Sequence, residues 1–222
     1  SPMEMNIAGK NGVPAEVNFN RYRKLAEGKW GIVFVEHATA SENPAHRAWG
    51  PDGLLLNSNT IEEFTTLVQE FKESNPDALL IQQIGTGNRG DGESYLKIST
   101  RDIEETLKDL ITAGVLAAKA GFDGIDFKLC HGSLGNNLTS LANQRDDAFG
   151  GGSIEDRSRF VVEGIRGIKE RVSQFRNDFI IGTRISENDL FCLYQMLALF
   201  QDELKLDFIN VSAWPAEAAF NA

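Results

Sequence analysis

Lys128, Cys130 and His131 follow directly on the apolar run Ile125-Asp126-Phe127. An amine, a thiol and an imidazole at the end of a buried run can polarise a carbonyl, move a proton or attack an electrophile. Comparable polar groups end the other apolar runs. Glu36-His37 follows Gly31–Val35, Gln82-Gln83 follows Ala78–Ile81, and Arg184 follows Phe179–Gly182. Ser212 and Trp214 follow Leu206–Val211, and Pro2-Met3-Glu4 reads as the exit of one further strand. Brought to one mouth, these groups suit a polar ligand with several hydrogen-bonding edges. Each also has a structural reading. A strand-end Gln can serve backbone groups, Arg184 can pair with a carboxylate such as Asp126, and Lys128 can snorkel to solvent. Cys130 can be an inert buried thiol, and Glu36 can anchor a helix N-terminus. The residue types alone leave both readings open for every position.

The elements that must place these groups are legible as short, β-branched-rich runs with little alternation. Such runs suit strands buried on both faces, as in a parallel sheet. Amphipathic helices separate them. Thr60 with Glu63 predicts a capping box for a helix over Ile61–Ser74, with Phe64, Leu67, Val68 and Phe71 on one face. A second helix runs from about Arg101 to Ala120 and stops at Gly121, a C′ glycine. Ser153 caps a third, which stacks Val161, Ile165, Ile168 and Val172. Alternating strands and helices mean an α/β fold with a parallel sheet. In a parallel β/α barrel the chemistry sits at the C-terminal strand ends. The glycine-rich stretch Gly85-Thr86-Gly87-Asn88-Arg89-Gly90 lacks the spacing and helix start of a dinucleotide fingerprint.

Bulk properties narrow the partners. The chain has 222 residues and a net charge of −10, which argues against nucleic acid or an anionic membrane. No apolar run approaches the ~20 residues that span a bilayer, and the first residues show no signal peptide. The two cysteines, Cys130 and Cys192, form no CxxC pair. No disulfide framework, zinc site or iron–sulfur site is expected, and a reducing cytoplasm fits. No repeat or linker divides the chain, so one domain over 1–222 is expected.

Several stretches resemble the Old Yellow Enzyme family, the NADH:flavin oxidoreductases. Asn143–Phe160 is similar to the family pattern NxRxDxYGGSxENRxRF, with one extra glycine. Gln82–Arg89 is similar to its third-strand segment and Gly182–Ser186 to its fifth. Arg21–Val35 resembles its first helix and second strand. Ser1-Pro2-Met3 resembles its first-strand exit. The resemblance implies a (β/α)8 TIM barrel that binds FMN and is reduced by NADH or NADPH. It places Pro2, Met3, Glu4, Gln83 and Arg184 against the flavin, with Arg184 facing the N1/C2=O edge. A fixed guanidinium there offsets the negative charge of the reduced ring, and an amide can donate to and accept from the pyrimidine edge. The implied reaction passes hydride to an electron-poor alkene such as an α,β-unsaturated carbonyl. Such barrels often pair as homodimers or larger homo-oligomers.

The departures shape the expected mechanism. Where the family carries a His/His or His/Asn pair for the substrate oxygen, this chain has Lys128 and His131. Where a proton-delivering tyrosine often stands, it has Ser133, so Ser133 or water is expected to supply the proton. The strand-three loop has Thr86 in place of a histidine. Five full strands and the exit of one more can be counted, about six of eight, so the barrel is expected to be truncated, incomplete at both ends. Two alternatives accompany the flavoenzyme reading. One is a degenerate barrel without flavin chemistry, acting as a binding protein. The other is an aldolase-like enzyme with Lys128 as a Schiff-base lysine.

Overall fold

The runs expected as strands pair side by side in a single parallel sheet. In a computed structural model the described residues are 4–41, 52–87, 98–186 and 190–212. Six strands follow the spatial order β2-β1-β3-β4-β5-β6. They are β1 (Ile32–Thr39), β2 (Leu54–Leu55), β3 (Leu79–Gly85), β4 (Gly124–Leu129), β5 (Ile180–Ile185) and β6 (Phe208–Val211). Every pair is parallel, so each connection must cross over, and helices make most of the crossings. These are α1 (Glu16–Glu27), α2 (Ile61–Ser74), α3 (Thr100–Ala120), α4 (Leu134–Thr139), α5 (Ile154–Val172) and α6 (Leu190–Leu199). The longer helices neighbour one another in chain order, α1 on α2, α2 on α3, α3 on α5 and α5 on α6.

The main core lies between this helical layer and the sheet. Ile125, Phe127 and Leu129 of β4 are buried in it together with Ile181 and Ile185 of β5. Phe127 meets Phe160 of α5 edge-on, with centroids 6.3 Å apart. Burying one such ring contributes about 2–3 kcal/mol. Gly164 makes this approach possible, since a Cβ there would lie 3.1 Å from the Phe127 ring. Period two then sends Asp126 and Lys128 of β4, and Arg184 of β5, to the opposite face.

That opposite face is strongly concave. Phe34 of β1 and Phe208 of β6 stack edge-on with centroids 5.6 Å apart, although β3, β4 and β5 lie between their strands. In a flat sheet four strand spacings would separate them by roughly 19 Å. The sheet therefore curls as a barrel wall does. At the N-terminal end of the strands the concavity is apolar, a hollow of about 550 Å³ lined by Ile32, Phe34, Leu79, Ile81, Ile180 and Phe208 among others. At the C-terminal end it is polar.

Helix boundaries follow local chemistry. α3 ends at Gly121, with φ 97°, as the C′ glycine predicts. Ser153 caps α5, accepting from the Asp156 amide at 3.2 Å. The capping box expected at Thr60 does not form. The Thr60 hydroxyl instead donates to the Leu55 carbonyl at 2.6 Å, tying α2 to the short strand β2.

Candidate active site

The polar end of the concave face is built by strand register. Gln83 of β3 lies beside Asp126 of β4, and Lys128 of β4 lies beside Arg184 of β5. Gln83 Nε2 donates to Asp126 Oδ2 at 2.7 Å, and Arg184 Nε lies 3.9 Å from the same oxygen. All three side chains are buried. Burial pushes the Asp126 carboxyl above its ordinary range, while Gln83, Arg184 and Lys128 pull it back. Asp126 Oδ1 is buried and meets no hydrogen-bond partner among the described residues. The Arg184–Asp126 ion pair conceivable from sequence is therefore present as a loose pair, with Gln83 as its third member.

A second cluster adjoins the first. Lys128 Nζ donates to Glu4 Oε1, and His37 Nδ1 lies 3.0 Å from that oxygen without the alignment of a directed hydrogen bond. Burial works to raise the Glu4 carboxyl, but His37 and Lys128 outweigh it and hold Glu4 far below the usual carboxylate range. His37 is wholly buried; burial, then the Lys128 charge, push its imidazole down, against the pull of Glu4. Gly85 allows the cluster to close. A Cβ at Gly85 would lie 2.8 Å from Lys128 Cβ and 3.2 Å from His37 Nε2.

His131 stands at the rim, exposed, in the left-handed region with φ 56°. Its ring Nε2 lies 2.9 Å from Ser212 Oγ, and its backbone N–H donates to Ser186 Oγ at 3.1 Å. Partial burial, then Lys128 and Arg184, push its imidazole below the ordinary value. It thus stands near pH 7 as a neutral donor–acceptor rather than a cation. Cys130 is buried, and burial pushes its thiol up to about 11 despite the two nearby cations. The bland reading holds for it: a protonated thiol is a poor nucleophile.

Three further sequence candidates have structural partners. Ser133 is completely buried and caps α4; its hydroxyl lies 3.4 Å from the Lys128 carbonyl and 3.4 Å from the Asn136 amide. Thr86 accepts from the Leu134 amide at 2.9 Å and so supports the same helix. Glu36 binds the Met5 amide at 2.8 Å and Asn18 Nδ2 at 2.9 Å, anchoring the N-terminal segment and α1. The expected cofactor contacts Pro2 and Met3, and Trp214, lie outside the described residues. His37 was named with Glu36 as a strand-end group but given no role. The Glu36-His37 pair at a strand end was its only signal, and its partners come from distant parts of the chain.

The Asn143–Phe160 run lies behind the site as scaffold. Asn143 Nδ2 donates to the carbonyls of Leu138 at 2.8 Å and Phe149 at 2.9 Å. Arg145 pairs with Asp147, Nε to Oδ1 at 3.1 Å, and donates from Nη1 to the Ile98 carbonyl at 2.8 Å. Asp147 accepts from Thr100 Oγ1 at 2.6 Å. The run thereby knits the start of α3 to α4 and α5.

One polar edge of a planar ligand fits this wall. With Gln83 Nε2 committed to Asp126, its Oε1 is left to accept from a ligand N–H. Arg184 supplies a fixed positive charge, and Asp126 Oδ1 is a buried acceptor still to be matched. An N–H flanked by carbonyl oxygens, as in the pyrimidine ring of a flavin, can donate to Gln83 Oε1 while a flanking oxygen accepts from Arg184, and Asp126 holds both residues in place. Among the described residues no group of His, Cys, Asp and Glu could hold a metal ion, and no helix is long and apolar enough to cross a membrane.

Several known proteins are similar to this chain. The family model described as "NADH:flavin oxidoreductase / NADH oxidase family" matches residues 89–198. A protein named NADPH dehydrogenase from Bacillus pumilus is 30% identical over 187 residues, 77% of this chain and 54% of that protein. A NADH oxidase from Thermoanaerobacter brockii is 38% identical over 99 residues, 44% of this chain and 15% of that protein. The chain thus spans about half the length of the curated NADPH dehydrogenases it matches. Among solved structures, an Old Yellow Enzyme from a Pichia species superimposes with a TM-score of 0.78 at 19% identity, covering 95% of this chain and 65% of that one. That likeness shows the fold, a TIM-barrel wall of six parallel strands.

Proposed function

We propose that this chain, which belongs to the NADH:flavin oxidoreductase family of the Old Yellow Enzymes, forms the ligand-facing wall of an FMN-dependent oxidoreductase. NADH or NADPH is the reductant, and the oxidant is an electron-poor alkene such as an α,β-unsaturated carbonyl. The observation that carries this reading is the meeting of Gln83, Asp126, Arg184, Lys128 and Glu4 at the C-terminal ends of neighbouring parallel strands, the place where barrel enzymes keep their chemistry.

FMN, when bound, supplies the hydride-transfer chemistry, and the protein supplies position and charge. Arg184 would hold the ring edge that gains negative charge, already fixed in place by Asp126 and so needing no reorganisation. Gln83 would accept from the ring N–H. Lys128 Nζ and the His131 ring would hold and polarise the substrate oxygen from the rim. The Ser133 hydroxyl is sealed under α4, so water at the His131–Ser212 rim is the better placed proton source. An amine held in an ion pair with the Glu4 carboxylate offers N–H donors rather than a nucleophilic lone pair, which tells against the Schiff-base alternative.

The test is flavin retention. FMN is added to the purified protein and then removed by gel filtration. A flavin absorption band that stays with the protein, and bleaches with NADH or NADPH, is expected. A folded protein that retains no flavin overturns the proposal and favours a degenerate barrel.

A further inference from the structure

Glu4 Oε1 accepts from Lys128 Nζ of β4 and lies 3.0 Å from His37 Nδ1 of β1. The Lys128 side chain is 5% exposed and that of His37 1%, against 18% for Glu4. The carboxylate is therefore the outermost member, and a ligand that reaches Lys128 meets Glu4 as well. Among the described residues, the other charged or titratable groups around the pair are Glu36 on β1, Asp126 on β4, Cys130 and His131 just after β4, and Arg184 on β5; β3 contributes the uncharged Gln83 and Gly85. Asp126 answers Arg184 as Glu4 answers Lys128, so the wall holds two ion pairs and no uncompensated cation among these groups.

Resting on the proposed substrate role of Lys128, we propose that Glu4 is a specificity-determining residue that decides which ligand charge Lys128 accepts. The Glu4–Lys128 pair presents a hydrogen-bond donor with almost no net charge. A neutral carbonyl oxygen can take that bond. A ligand carboxylate would face Glu4 across the same ammonium, and like charges at such range in a partly buried site repel strongly. Glu4 thus acts through Lys128, holding it in position and cancelling its pull on anions.

The test compares cinnamate with its neutral isostere cinnamamide, titrated calorimetrically into the protein with and without added FMN. Wild type is expected to bind the amide at least about tenfold more tightly than the carboxylate, a difference of about 1.4 kcal/mol. Glu4→Gln should erase or invert that ratio, and Glu4→Asp should keep it. The same ratio in wild type and Glu4→Gln overturns the inference. A second measurement needs neither flavin nor substrate and covers the case in which Glu4→Gln does not fold. Carbon NMR of the Glu4 carboxyl should show it titrating below the usual carboxylate range in wild type and at clearly higher pH in Lys128→Met, where burial meets less opposition. An unmoved titration overturns the inference even where flavin is retained. A moved titration in a protein that retains no flavin leaves the Glu4–Lys128 pair standing and counts against the proposed function alone.

Discussion

At the residue scale, a buried charge is tolerable only with its partner, and this wall shows the rule twice. Arg184 and Asp126 are both buried and 3.9 Å apart. Removing one strands the other, which costs about 3–5 kcal/mol in buried pairs. Arg184→Met should therefore lower both stability and FMN affinity, and the two losses need separating. The double variant Arg184→Met/Asp126→Asn removes the stranded charge. It should recover most of the denaturant midpoint while FMN binding, read by quenching of flavin fluorescence, stays at least tenfold weaker. Arg184→Lys keeps the charge but loses the planar fork, so it should fall between. Recovery of flavin binding in the double variant would show that Arg184 serves the fold and not the ligand.

At the element scale, the longest family-like run is a strut. Asn143 is completely buried and satisfies two carbonyls and the Arg145 amide. Asn143→Ala leaves those groups unmatched and should cost about 3 kcal/mol, seen as a lower denaturant midpoint at unchanged slope. Gly151→Ala should be worse, since its Cβ would lie 1.6 Å from the Asn143 carbonyl oxygen. The same strut carries a pH signal. Arg145, then Thr100 and the Phe149 amide, hold the Asp147 carboxyl down to about 2, against the effect of burial. A depressed carboxyl stabilises the fold above its unfolded value and loses that contribution as pH falls through its folded value. The thermal midpoint difference between wild type and Asp147→Asn should therefore be full near neutral pH and shrink as pH falls from about 4 towards 2. Strands β1, β3, β4, β5 and β6 and helices α2, α3 and α5 were legible because hydrophobic period and capping residues speak locally. β2 and α4 were not. β2 has two residues, and α4 is six residues long, with Gly135, Asn136 and Asn137 inside it, standing on Ser133 and Thr86. In the site, Gln83 and Arg184 announced themselves as strand ends. The Glu4–Lys128 pair could not, because its partners are 124 residues apart and only the folding of the N-terminal segment against β4 joins them.

At the scale of the whole molecule, one concave face carries two surfaces of opposite character. Along β4 and β5 the inward positions run from Gly124 and Ile180 to Lys128 and Arg184, a rise of about 13 Å over four residues. Apolar side chains occupy the first end and ion pairs the second. The curl of the sheet brings Phe34 and Phe208 together, and Gly182 permits it, since a Cβ there would lie 2.4 Å from the Phe208 ring. The hollow of about 550 Å³ beside them, with Ile32 and Val211 about half exposed at its margin, is large enough to take an aromatic probe. The chain should therefore enhance the fluorescence of anilinonaphthalene sulfonate, and Phe208→Glu should weaken that binding about fivefold or more by placing a charge in the hollow. FMN should leave the dye bound, because Gln83 and Arg184 stand one inward position beyond Ile81 and the level of Phe208 along their strands, a rise of about 7 Å. Displacement of the dye by FMN would mean that the flavin ring lies against the apolar end, and the roles given to Gln83 and Arg184 would then be wrong.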